Sequence, residues 1–192
     1  MHTQDALDHS FWHCVSADLR RYHSITNRNS IDTELRIYNW LAALSPRFAP
    51  MLLHRIAYAL QTNRLGFLAK FFSLTNFMVF GIEIATRCPI GGGLFFPHTQ
   101  GTVIGAWRIG KNATIYQGVT LGAKELDFAY SIESRPIIGD DVTIGSGSKV
   151  LGGISVGNHV RIGANAVITK ALTDHSLALS AALRVHTSAG QL

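Results

Sequence analysis

The stretch "RPIIGDDVTIGSGSKVLGGISVGNHVRIGANAVITK", residues 135–170, carries an aliphatic residue at every sixth position. Ile138, Ile144, Val150, Val156, Ile162 and Ile168 keep this register, and glycine directly follows four of them, at Gly139, Gly145, Gly157 and Gly163. A helix repeats its apolar residues at about 3.6 and a half-buried strand at 2, so neither generates this period. Hexapeptide repetition is the signature of a parallel β-helix, in which short strands turn at regular corners, the aliphatic side chain stacks inside and a small residue relieves the corner. The register appears upstream at Ile84, Ile90 and Phe96 and, after one inserted residue, at Ile109, Ile115 and Leu121. The fifth position of each unit is small or β-branched, as at Cys88, Ala113, Val119, Val142, Ser148, Val160 and Ala166. Three hexapeptides close a triangular coil, so residues 84–172 supply about five coils. Each inward aliphatic residue contributes roughly 1.5–3 kcal/mol when fully buried, enough for a stiff prism.

The pattern breaks between Leu121 and Ile138, where "GAKELDFAYSIESRPI" brings charges and aromatics that no coil corner can bury. An excursion loop on a rigid scaffold is a usual location for binding residues, the alternative being a plain surface loop. Phe128 and Tyr130 need a cover, and a neighbouring subunit is the expected one.

Before residue 81 the spacing is helical. Asp5 or Ser10 opens a first helix through Phe11, Val15, Leu19 and Tyr22, and Ser30 or Asp32 a second through Leu35, Tyr38, Trp40 and Leu41. Ser45-Pro46 reads as cap and first residue of a third, "SPRFAPMLLHRIAYALQ", and "RLGFLAKFFSLTNFMVFG" as a fourth. Arg55, Arg64 and Lys70 interrupt this apolar region too often for a span of roughly 20 residues. These helices are expected to be mostly buried against each other and the coils, with peripheral membrane contact as the lesser reading. The organisation expected is an α-helical region over 1–81, a β-helix over 82–172 and a tail over 173–192.

The chain has 192 residues, 47% hydrophobic and only 15% charged, which suits a subunit covered by further copies of itself. Its net charge of +5 suits an anionic ligand. Cys14 and Cys88 stand far apart, without the spacing of a disulfide framework or a zinc site. The N-terminal stretch lacks the basic and apolar regions of a signal peptide, and a cytoplasmic location is expected, with the inner face of the membrane as a variant. His9 and His13 have the i, i+4 spacing of a ligand pair but no third ligand, so no metal is expected.

The stretches "GIEIATRCPIGGGLFFPHTQGTVIG", "IGKNATIYQGVTLGA" and residues 135–170 together resemble the serine O-acetyltransferase group of left-handed β-helix acyltransferases, over roughly residues 47–178. The resemblance implies a mainly β chain, a left-handed parallel β-helix preceded by an α-helical N-terminal region, that uses acetyl-CoA and assembles as a homotrimer or a dimer of trimers. It implies His98 as general base and Glu83, where typical members have aspartate, as the carboxylate that orients it. An imidazole titrates near neutrality and can take the proton of an attacking hydroxyl. The resemblance further implies acetyl-CoA contacts at Ala123, Ser146 and Ala164, with Arg161 near the phosphates; Lys149 and Lys170 would add attraction for them.

Departures bear on the acceptor. The family's aspartate before the histidine is Pro97 here, and its Arg-His pair before the loop proline is Ser134 and Arg135. The tail "TSAGQL" lacks the terminal isoleucine with which such enzymes dock into cysteine synthase, so that docking is not expected. The same framework serves enzymes that acetylate sugars of capsular and exopolysaccharides. A saccharide hydroxyl is therefore the expected acceptor, with Pro97, Ser134 and Arg135 lining its pocket, L-serine is the alternative, and no nucleic acid is expected. A third reading makes the prism a catalytically silent assembly module.

Overall fold

Phe11–Thr26 forms α1 in the computed structural model, which describes residues 10–26 and 45–180. Its buried residues, Cys14, Val15, Asp18 and Leu19, form one helical stripe that includes a carboxylate. The second expected helix, Ser30 to Leu41, lies outside the described residues, as does the tail "TSAGQL". The third expected helix begins later than Ser45-Pro46. The Ser45 carbonyl accepts from the amides of Phe48 and Ala49, at 3.0 and 2.8 Å, and the turn so formed leads into α2, Ala49–Thr62. Pro50 sits in the first turn of α2, where its missing N–H leaves nothing unsatisfied. α3, Gly66–Phe80, ends at Gly81, whose φ of 63° is the left-handed conformation that closes helices.

The expectation that these helices are mostly buried needs correction for α3. α2 buries Met51, His54, Arg55 and Ala57, but α3 buries only Ala69 and Asn76. Asn76 Nδ2 donates to the Pro50 carbonyl at 3.0 Å and fixes one narrow face of α3 on α2. Phe67, Phe71, Leu74 and Met78 point away, 85, 61, 58 and 73% exposed.

From Ile82 the chain winds as a left-handed parallel β-helix. The first sheet holds β1 (Ile82–Ile84), β2 (Thr102–Ile104), β5 (Thr120–Gly122), β8 (Lys149–Leu151) and β11 (Val167–Ile168), one strand per coil, hence five coils. The second sheet holds β3 (Arg108–Ile109), β6 (Ile137–Ile138) and β9 (Ser155–Val156); the third holds β4 (Thr114–Ile115), β7 (Thr143–Ile144), β10 (Arg161–Ile162) and β12 (Leu177–Ala178). Parallel pairing keeps each inward residue directly above its equivalent, as in Ile109–Ile138–Val156 and Ile115–Ile144–Ile162, all 2% exposed or less.

The single inserted residue read between Phe96 and Ile109 is a net of two events. Ile104 is also inward, 1% exposed, eight residues after Phe96 and five before Ile109. One corner is therefore longer than the repeat by two residues and the next shorter by one. The long corner contains His98.

The first coil has no coil below it, so its backbone needs other partners. α1 and α2 supply them. Asp18 Oδ1 accepts from the amides of Gly93 and Leu94, at 2.7 and 2.8 Å, and its carboxylate receives Arg55 Nε at 2.9 Å. Arg55 also donates to the carbonyls of Ile90 and Gly91, and Arg21 to those of Gly93 and Ala113. Gly92 lies under α1 so closely that a Cβ would stand 2.8 Å from that of Ala17.

His54, 2% exposed beneath this network, has no hydrogen-bond partner on either ring nitrogen among the described residues. Burial, reinforced by the Arg55 charge, lowers its pKa from 6.5 to about 3; the Cys88 backbone pulls the other way without reaching hydrogen-bonding geometry. The unfolded chain thus takes up a proton below pH 6.5 that the folded chain refuses down to about 3, so stability present above 6.5 is lost as pH falls through that window. In urea titrations of the wild type His54 is expected to cost about 1.6 kcal/mol between pH 6.5 and 5, the slope rising toward about 1.36 kcal/mol per unit as the unfolded imidazole becomes protonated. His54→Leu should flatten this slope. Burial also raises the Asp18 pKa, a contribution that both proteins share and that cancels in their comparison.

Candidate active site

His98 owes its position to the long corner. Phe95 pairs with Thr114, and the Gly118 amide donates to the Gln100 carbonyl, just as Thr114 pairs with Thr143 and the Gly147 amide donates to Gln117. Five residue steps separate Phe95 from Gln100 where three separate Thr114 from Gln117, so the first coil bulges by two residues. Thr99 closes the bulge from inside, its Oγ1 donating to the Phe80 carbonyl at 2.7 Å. Phe96 fills the inward slot at 0% exposure, while His98 is exposed at the corner leading into the first sheet.

Glu83 is the outward residue of β1. Its neighbours up the sheet are Val103, Thr120, Lys149 and Val167. Glu83 and His98 are both exposed on the lowest part of the first sheet, one in mid-strand and the other at its entry edge. Neither side chain has a hydrogen bond or ion pair to any described residue. Beside Glu83 lies a cleft of about 380 Å³, lined on the helical side by Lys70, Leu74 and Phe77.

The expected acetyl-CoA contacts divide into groups. Ser146 and Ala164 share the corner column of Gln100 and Gln117, joined by the Asn165 amide donating to the Ser146 carbonyl at 2.8 Å. Arg161 stands on the third sheet, in a groove of about 490 Å³ with Gly145, Gly163, Ala164, His159 and His175. Small residues beside the Arg161 guanidinium suit a ligand with a narrow arm and a phosphate end, so these residues fit a CoA thioester. Ala123 and Lys170 lie beyond the far edge of the first sheet, after β5 and β11. Lys149 Nζ is held by the Gly118 and Gly147 carbonyls, both at 2.8 Å, and serves the corner column from within.

Arg135 is an internal strut of the excursion loop. Its guanidinium donates to the Asp127 carboxylate, the Asp127 carbonyl and the Gly105 carbonyl, each at 2.8 Å, and stacks 4.1 Å from the Tyr130 ring. Tyr130 OH donates to the Ala106 carbonyl at 2.6 Å, and Ser134 Oγ accepts from Ser131. This strut escaped the sequence reading, although Asp127, Tyr130 and Arg135 are a carboxylate, a ring and a guanidinium crowded into nine residues. Phe128 at the tip is 90% exposed. Pro97 adjoins His98, half-buried. Burial pushes the Cys88 thiol up to about 12, which rules it out as a nucleophile near neutral pH.

Residues 135–170 match the bacterial transferase hexapeptide (six repeats) family. A serine acetyltransferase of Helicobacter pylori is 41% identical over 145 residues, 75% of this chain and 83% of that protein. The chain belongs to the serine acetyltransferase family. Among solved members, the Neisseria gonorrhoeae serine acetyltransferase in complex with serine superposes with a TM-score of 0.72 at 28% identity, over 88% of this chain and 66% of that one. A serine acetyltransferase in complex with CoA gives 0.71 at 27% identity, over 90% and 68%. These relatives overturn the saccharide acceptor and the polysaccharide pathway expected from the sequence. The departures behind that expectation have another origin at one position at least: Arg135 supports the loop, so its presence there carries little information about an acceptor.

Proposed function

We propose that the protein is a serine O-acetyltransferase, which transfers the acetyl group of acetyl-CoA to the hydroxyl of L-serine. The observation that carries the reading is His98, exposed on a two-residue corner bulge of the sheet that also exposes Glu83, in a chain 41% identical to a protein of that activity. His98 takes the proton of the serine hydroxyl as that oxygen attacks the thioester carbonyl. The tetrahedral adduct collapses with cleavage of the C–S bond, and the imidazolium returns its proton to the leaving thiolate, giving O-acetylserine and CoA. Glu83 fixes the ring tautomer and stabilises the imidazolium. Ser146 and Ala164 leave room for the pantetheine arm at the corner column, with Arg161 toward the phosphates and Lys170 and Ala123 at the outer edge. Pro97 and Ser134 border the acceptor side. Three prisms side by side would cover Leu126 and Phe128, 87 and 90% exposed, and enclose the site, so a homotrimer is part of the reading.

Free thiol released from acetyl-CoA by the purified chain should depend on L-serine and match O-acetylserine mole for mole. Release that L-serine does not accelerate overturns the reading. Light scattering should give three times the 21.0 kDa chain mass, or a multiple of that trimer.

A further inference from the structure

α3 exposes more apolar surface than its own chain covers among the described residues. Leu65, Phe67, Leu68, Phe71, Leu74, Phe77, Met78 and Val79 are each 44–85% exposed, on and just before a helix of 15 residues. At about 100° per residue, Phe67, Phe71, Leu74 and Met78 form the crest, and Leu68, Val79 and Phe77 widen it to an arc of about 200°. A seam for one partner helix is narrower. The arc fits a flat apolar medium better than a groove or a single helix.

Charge selects the kind of surface. From Arg36 to Ile82 the sequence contains five Lys or Arg residues and no Asp or Glu; Arg55 among them is neutralised by buried Asp18, and Glu83, which follows directly, lines the cleft beside Lys70. Arg64, just before the helix, and Lys70, on the flank of the crest, are exposed and have no carboxylate partner among the described residues. A second copy laid on this face would bring no acid from α2 or α3 to meet them, whereas anionic headgroups would. Length selects how the helix lies. Fifteen residues at about 1.5 Å each reach about 22 Å, short of a hydrocarbon core of roughly 30 Å, and no described helix is long and apolar enough to cross a membrane.

We propose that α3 seats the protein on an anionic lipid surface, lying in the plane of the interface with Phe67, Phe71, Leu74 and Met78 among the acyl chains and Arg64 and Lys70 at the headgroups. The inference does not depend on the acceptor. α3 runs directly into β1, and its Phe80 carbonyl holds Thr99 beside His98, so the candidate site stands next to the seat.

The test is sedimentation of the full chain with vesicles of phosphatidylcholine alone or with about one-third phosphatidylglycerol. Binding to the anionic vesicles is expected. Phe67→Ser combined with Phe71→Ser should lower the partition coefficient about tenfold or more. Lys70→Gln should lower it about fivefold on anionic vesicles and leave neutral ones unchanged. Absence of binding to either vesicle overturns the proposal. So does a double variant that melts well below the wild type, which would mean that residues 27–44 cover the face. A double variant that loses a larger lipid-free assembly assigns the face to a second copy and overturns it too.

Discussion

His98→Ala is expected to lower kcat/KM for L-serine and acetyl-CoA by about 10²- to 10⁴-fold, the usual contribution of a positioned general base. The fold should tolerate the change. His98 is exposed, bonds to no described residue, and sits on a bulge held by its neighbours Phe96 and Thr99. Loss of the imidazole therefore removes a proton acceptor without removing a packing element. Circular dichroism and light scattering should match the wild type, which separates a chemical effect from misfolding. Glu83→Gln should cost less, since it keeps shape and some hydrogen bonding while removing the charge that favours the imidazolium. Unchanged kcat/KM in His98→Ala would remove the residue from the mechanism and leave the family fold with another base.

The second large effect concerns stability and lies far from the exposed histidine. Asp18→Ala is expected to destabilise the protein by about 3–5 kcal/mol, because it leaves the buried Arg55 guanidinium uncompensated. It also strips the Gly93 and Leu94 amides of their acceptor, and each orphaned buried donor costs about 1–3 kcal/mol in its own right. Arg55→Met removes the cation but leaves Asp18 with two amide donors, so its loss should be smaller. The double variant Asp18→Leu with Arg55→Met removes both charges, and its loss should fall well short of the sum of the single ones. Urea unfolding of the four proteins measures the coupling. Strict additivity would show that the pair does not act as a unit, contrary to the geometry of α1, α2 and the Gly91–Leu94 turn.

The prism itself was legible in the sequence. Stacking along one axis requires the same kind of residue at each sixth position, and Ile138 to Ile168 state that requirement without reference to anything distant. His98 and Glu83 were read as a pair through family resemblance; the structure leaves both exposed on one sheet, with no bond joining them. The doubled residue at the His98 corner was not, because periodicity reports only the sum of a two-residue gain and a one-residue loss. Nor was the exposure of α3: Phe67 or Leu74 adds the same hydrophobicity to a sequence whether it faces a core or a lipid. The bonding of Arg135 was hidden for a related reason. A guanidinium that lines an acceptor pocket and one bonded to Asp127 and Gly105 look alike in sequence, and only the contacts distinguish them.

By itself, then, the sequence determined the β-helix, its inward columns and the break for the excursion loop, since each follows from short-range repetition along one axis. The tertiary structure decided what no repetition encodes. It bound Asp18 to Gly93 across 75 residues, closed the first coil with two helices, turned His98 outward and, among the described residues, left the crest of α3 uncovered. Those outcomes depend on which distant groups satisfy a buried donor or cover an apolar face, and that is settled only when the whole chain has folded.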